Sequence, residues 1–147
     1  MKKIILIALF GIGLAFNGLA QGITTLKATT GAYSSSSTKT LDTCTNMVDT
    51  VYFVYNATDL KNGSLELISK RISGTCVVTA YLECSNNGTF WWSKSAADTI
   101  NLKPAASATK AGGLVITQNN VKYYRYRIIG HAAGVIQLSG NGCLRRD

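Results

Sequence analysis

The chain has 147 residues, with 15 Lys and Arg against 7 Asp and Glu and a formal charge of +8, which is one ordinary domain with a basic balance. Charged residues make up only 15%, and there is a single His and a single Pro. That composition excludes a charged disordered tail, a collagen-like repeat, a coiled coil and a His-based metalloenzyme.

The chain opens on Met1-Lys2-Lys3, followed by an uncharged apolar run at 4–16 and small residues at Gly18 and Ala20. A short basic start, a brief apolar stretch and small residues before a cut are the three parts of a secretory signal peptide, so residues 1–20 are expected to be removed after Ala20. The run is shorter than the roughly 20 apolar residues of a spanning helix, and no stable membrane span is expected afterwards. Loss of Lys2 and Lys3 leaves 13 basic against 7 acidic side chains, a charge of +6. The predicted location is periplasmic, extracellular or virion-associated.

Residues 21–147 contain 16 Thr and 12 Ser, with β-branched and aromatic residues in short runs and no long 3.6-residue apolar period. Residues 21–40, with Ser34 to Ser37 in a row, read as a flexible lead-in, and 41–147 as the folded domain. The segment 48–57 alternates Val51, Phe53 and Tyr55 against Tyr52 and Val54, a strand stopped by Asp59 and an Asn62-Gly63 turn. A second strand is predicted at 65–72, closed by Ser73-Gly74. The segment 75–84 puts Cys76, Val78, Ala80, Leu82 and Cys84 on one face, the expected buried one, and Val77, Thr79, Tyr81 and Glu83 on the other. Asn87-Gly88 turns the chain into Phe90-Trp91-Trp92, and 98–103 gives a short strand. Residues 104–113 read as a loop, and 114–117, 121–130 and 135–139 as three further strands. Seven or eight short strands at spacings near ten residues predict an all-β fold, an antiparallel β-sandwich of jelly-roll or Ig-like type.

Four cysteines, Cys44, Cys76, Cys84 and Cys143, are an even number in a chain expected to be exported, which favours disulfides. No pair has the CxxC spacing of a zinc or thioredoxin-like site, so no metal is expected. Cys76 and Cys84 stand eight residues apart on one predicted strand, about 26 Å, far beyond the roughly 7 Å between Cα atoms that a disulfide tolerates. If two bridges form, the pairings left are 44 to 76 with 84 to 143, or 44 to 84 with 76 to 143.

Across residues 42–146 several motifs fall in a fixed order. These are Thr45-Asn46 with Asp49-Thr50, Ser73-Gly74-Thr75, Ser85-Asn86-Asn87-Gly88-Thr89 with the Trp pair, and Tyr123-Tyr124-Arg125-Tyr126-Arg127 before a basic end. The order resembles the small β-sandwich structural proteins of tailed bacteriophages, which implies a virion or tail subunit. Asn87 stands where that pattern usually has Asp. The cysteines and the export signal are not what a cytoplasmically assembled particle needs.

On the strand at 121–130, Tyr123, Arg125 and Arg127 share one face, and Lys122, Tyr124 and Tyr126 the other. The first set can bind an anionic glycan, a phosphate or a neighbouring subunit, or simply stabilise a half-buried sheet. Trp91 and Trp92 are expected on opposite sides of an extended segment, one filling the core and the other offering a stacking surface or interface anchor. The basic residues are otherwise scattered on no recognisable nucleic-acid module, so no nucleic-acid partner is expected. His131 lies in a predicted turn without an acidic neighbour, the acids occur singly, and neither an enzyme nor a cofactor is expected. The sequence thus predicts an assembly module with protein partners or, as the alternative, a secreted module recognising acidic envelope or host glycans. The formal glycosylation acceptors at Asn56, Asn62 and Asn87 read as turn residues.

Overall fold

The computed structural model describes residues 24–31, 34, 37, 39–93, 95–105, 109–117 and 119–145. The expected signal peptide lies outside them. Eleven strands and no helix are found among the described residues: β1 (Thr24–Thr25), β2 (Lys27–Thr29), β3 (Leu41–Cys44), β4 (Thr50–Asn56), β5 (Asn62–Gly74), β6 (Val78–Ser85), β7 (Trp92–Ser93), β8 (Thr99–Leu102), β9 (Thr109–Ile116), β10 (Tyr123–Gly130) and β11 (Gly134–Arg145). They form two antiparallel sheets. The five-stranded sheet runs β1-β11-β5-β9, with β3 also on β11, and the six-stranded sheet runs β2-β4-β10-β6-β7, with β8 also on β6. The predicted antiparallel sandwich is the observed architecture.

Alternation decides which side chains meet between the sheets. On β10, Tyr124, Tyr126 and Ile128 are buried while Tyr123, Arg125 and Arg127 are partly exposed. On β6, Val78, Ala80, Leu82 and Cys84 point inward, the face assigned from sequence. Phe53, Leu65, Leu67 and Leu138 complete the centre, all fully buried. Two tyrosines carry their hydroxyls into this core and find partners there. Tyr126 donates across the sandwich to the Leu65 carbonyl at 2.8 Å, and Tyr124 donates to Asn119 Oδ1 at 2.9 Å.

Four differences from the sequence reading have identifiable causes. The 21–40 segment is not merely a lead-in: β1 pairs β11, the chain pivots at buried Leu26, and β2 pairs β4, so residues 24–29 join both sheets. Asn62-Gly63 is no turn but the start of the 13-residue β5. A Cβ at Gly63 would stand 1.9 Å from the Cys143 carbonyl oxygen, so the glycine serves close approach to β11. The predicted loop at 104–113 holds the first half of β9, whose Gly112 and Gly113 lie against Ile100 and the Leu65 carbonyl. Finally, β11 runs past Ser139 to Arg145, because Gly140 and Gly142 continue the inward face with no side chain. The Tyr55 ring fills the space a Cβ on Gly142 would need.

Candidate functional site on the six-stranded sheet

The outward residues of β4, β10 and β6 come together by register: Tyr52 lies opposite Arg127, Arg127 opposite Tyr81, and Arg125 opposite Glu83. Glu83 is the centre of the cluster. Its Oε2 accepts from Arg125 Nε and its Oε1 from Arg127 Nε, each at 2.7 Å, and its side chain is only 10% exposed. Arg125 also donates to the Gly31 carbonyl. Its guanidinium carbon lies 4.8 Å from the Tyr52 ring centre and 4.4 Å from a Trp91 ring, while that of Arg127 lies 4.9 Å from Tyr81. Each such contact contributes about 0.5–2 kcal/mol, depending on how dry it is. One carboxylate against two guanidiniums leaves the cluster one positive charge in excess.

The turn at 85–90 explains how Trp91 reaches this face. Ser85 Oγ accepts from the Gly88 N–H at 2.9 Å, and Asn87 Oδ1 accepts from the N–H groups of Thr89 and Phe90, both at 2.9 Å. Gly88 takes φ 75°, which glycine adopts without strain. The clasped turn folds the chain back so that Trp91 covers Arg125. Trp92, on β7, is 46% exposed and Phe90 is 75% exposed. Trp92 is therefore the more exposed tryptophan, but it pairs with Cys84 and projects to the core side of the sheet edge, while Trp91 lies over Arg125 on the outer face. Trp91 Nε1 is buried with no hydrogen-bond partner among the described residues.

Of the residues singled out from sequence, Arg125, Arg127 and Trp91 converge, Tyr123 lies on the same face one pair further along β10, and Trp92 lies at the sheet edge. Sequence reading missed Glu83, Tyr52, Tyr81 and Gly31 as members of the cluster. Glu83 and Tyr81 had been placed on the outward face of their strand, so the available signal was facial parity, but nothing identified β10 as the neighbour. Arg127 keeps a third of its side chain exposed, and its Nη atoms have no hydrogen bond among the described residues.

No disulfide joins the four cysteines in the structure, where one or two were expected. The fold removes both two-bridge pairings. Cys143 lies on the outward face of β11, between the inward Gly142 and Leu144, while Cys84 faces the core from the other sheet. Cys44 packs at Gly130, six residues along β10 from the Tyr124 that pairs Cys84, a separation of about 20 Å. Cys76 contacts Val135, eight residues and about 26 Å from Cys143 along β11.

Among the described residues no group of three or more His, Cys, Asp or Glu is placed to hold a metal ion. His131 is exposed in the β10–β11 turn. A shallow groove of about 590 Å³ lies elsewhere, on the outer face of the five-stranded sheet between Glu66, Gly113, Val115, Asn141 and Cys143, and it contains neither an arginine nor an aromatic ring.

No protein-family model matches the sequence, and no curated protein sequence does. Solved structures of similar architecture include the Yersinia pseudotuberculosis-derived mitogen, at 12% identity over 86% of this chain and 89% of that one, with a TM-score of 0.46. The family 11 carbohydrate-binding module from Clostridium thermocellum, solved with a β-1,3-1,4-mixed-linked tetrasaccharide, is 12% identical over 88% and 92%, TM-score 0.43. The enzymatically active domain of tailspike protein 4 of bacteriophage CBA120 is 12% identical over 88% of this chain but 20% of that one, TM-score 0.44. At these values the likeness reaches the sandwich architecture and no further.

Proposed function

We propose that the protein is an exported, non-catalytic recognition module that binds acidic glycans on the outer face of its six-stranded sheet. The observation that supports this is Arg127. Its Nε is fixed by Glu83 and its plane lies against Tyr81, yet its Nη edge makes no hydrogen bond among the described residues and a third of the side chain meets solvent. A guanidinium held in this way offers a planar donor fork to a carboxylate or sulfate at little further ordering cost. The Tyr81 ring beside Arg127 and the Trp91 ring over Arg125 supply aromatic surface on the same face against which sugar rings can stack.

Calorimetric titration with polygalacturonate and with neutral dextran tests the reading. Binding of the acidic polymer only, weakened by salt and reduced at least about tenfold by Arg127→Ala, is expected. Absence of binding to acidic polymers, or an unaffected Arg127→Ala variant, overturns it. The assembly reading has its own support in β9, an edge strand with one charged residue, Lys110, and with Val115 76% exposed, the kind of edge that pairs with another chain. Sedimentation of the purified protein separates the two. A concentration-dependent oligomer abolished by Val115→Lys favours assembly, and a monomer favours recognition.

A further inference from the structure

We infer that Cys44 and Cys76 form a single disulfide that ties β3 to the β5–β6 corner, and that Cys84 and Cys143 stay reduced. Cys44 ends β3 opposite Ile136 of β11, and Cys76 lies in the 75–77 link with its thiol 3.3 Å from the carbonyl of Val135, the residue next to Ile136. Both cysteines thus lie at the Val135–Ile136 end of β11, and both are buried, at 1% and 5% exposure. The β10–β11 turn leaves room for them. A Cβ on Gly130 would come within 2.7 Å of Cys44 Sγ, and one on Gly134 within 2.9 Å of Cys76 Sγ. Burial first, then the charge of Asp49 and more weakly that of Cys76, push the Cys44 thiol up from its ordinary value.

The same burial sets when the bond forms. Exchange needs a thiolate with access to its oxidant, and burial raises Cys76 as well as Cys44, so oxidation belongs to folding rather than to the finished sandwich. The Cys44 thiolate attacks one sulfur of a small disulfide such as oxidised glutathione and releases one glutathione thiolate. The Cys76 thiolate then attacks Cys44 Sγ of the mixed disulfide and releases the second. Two protein thiols lose two protons and two electrons, and one glutathione disulfide becomes two thiols.

The test is to refold the denatured, reduced chain in a glutathione redox buffer, alkylate it under denaturing conditions and map the peptides without reduction. One crosslinked peptide joining Cys44 to Cys76, with alkyl groups on Cys84 and Cys143, is the expected result. Reduction should lower Tm by about 10 °C, and Cys44→Ser should abolish that sensitivity. Four alkylated cysteines, or a crosslink containing Cys84 or Cys143, overturn the inference. If the Cys44→Ser variant does not fold, the double variant Cys84→Ser with Cys143→Ser carries the test. It should become about 2 Da lighter, for two hydrogens lost, and two alkylatable thiols in it would sink the proposal.

Discussion

Glu83 shows how much a single side chain can hold when it is dry. It satisfies two guanidiniums at 2.7 Å from a position only 10% exposed, so its loss would leave two neighbouring cations on one strand face with no counter-charge. Glu83→Gln is expected to cost about 2–4 kcal/mol in urea unfolding, because breaking a buried pair strands its partners. The Lys39–Asp42 pair is as short, 2.6 Å, but its side chains are 60% and 23% exposed. Asp42→Asn should cost no more than about 0.5–1 kcal/mol, and less in high salt. Trp91 offers a second comparison at this scale. Trp91→Phe keeps a ring over Arg125 and removes an indole N–H that is buried without a partner, so it should be neutral or slightly stabilising by urea unfolding. Trp91→Ala uncovers the Arg125–Glu83 pair and should cost about 2–4 kcal/mol.

At the level of strands and turns, two of the ordered motifs, at 45–49 and 85–89, are side-chain clasps. In Thr45-Asn46-Met47-Val48-Asp49, the Asp49 carboxylate accepts from the Thr45 N–H at 3.0 Å and from its hydroxyl at 3.1 Å, while Asn46 Oδ1 accepts from Val48 N–H at 2.9 Å. Ser85 and Asn87 do the same for the 85–90 turn, which positions Trp91. Asn87→Ala should therefore cost about 1–2 kcal/mol and also shift tryptophan fluorescence to the red as Trp91 leaves Arg125. These elements were legible because a turn announces itself locally, and facial parity was legible for β6 and β10 because alternation is local too. Register is not. Glu83 and Arg125 are 42 residues apart and meet only because β6 and β10 are neighbours, so an acid read as solitary became the centre of the cluster. The glycine-bearing stretches of β5, β9 and β11 were shortened for a related reason. Gly63, Gly112 and Gly142 are set by what packs against them from another strand, which a turn-seeking reading of glycine cannot see.

The two sheets are joined through their shared core, and two tyrosine hydroxyls are enclosed with it, which makes the whole fold sensitive to alkali. Burial, with smaller contributions from Cys84 and Asp98, pushes the Tyr124 hydroxyl up to about 12, and burial with Asp98 pushes Tyr126 higher still. In the unfolded chain both return to about 10. Below that value each hydroxyl is protonated in either state, and the contribution to stability is complete. Above it the unfolded chain gives up protons that the native protein retains, so stability falls as pH rises, and for Tyr124 the fall ends near its native value of about 12. A two-unit displacement corresponds to about 2–3 kcal/mol for Tyr124 alone. Urea unfolding between pH 8 and pH 11, followed beside tyrosinate absorbance, should show a midpoint that is level to about 9.5 and then declines. Tyr126→Phe separates the titration from the hydrogen bond it accompanies. Losing the donor to the Leu65 carbonyl should lower neutral stability by about 1–2 kcal/mol, while the alkaline decline becomes shallower because one enclosed hydroxyl has been removed. A decline of unchanged steepness in that variant would mean that Tyr126 does not hold its proton through the core, and that the two sheets part there before the rest of the sandwich unfolds.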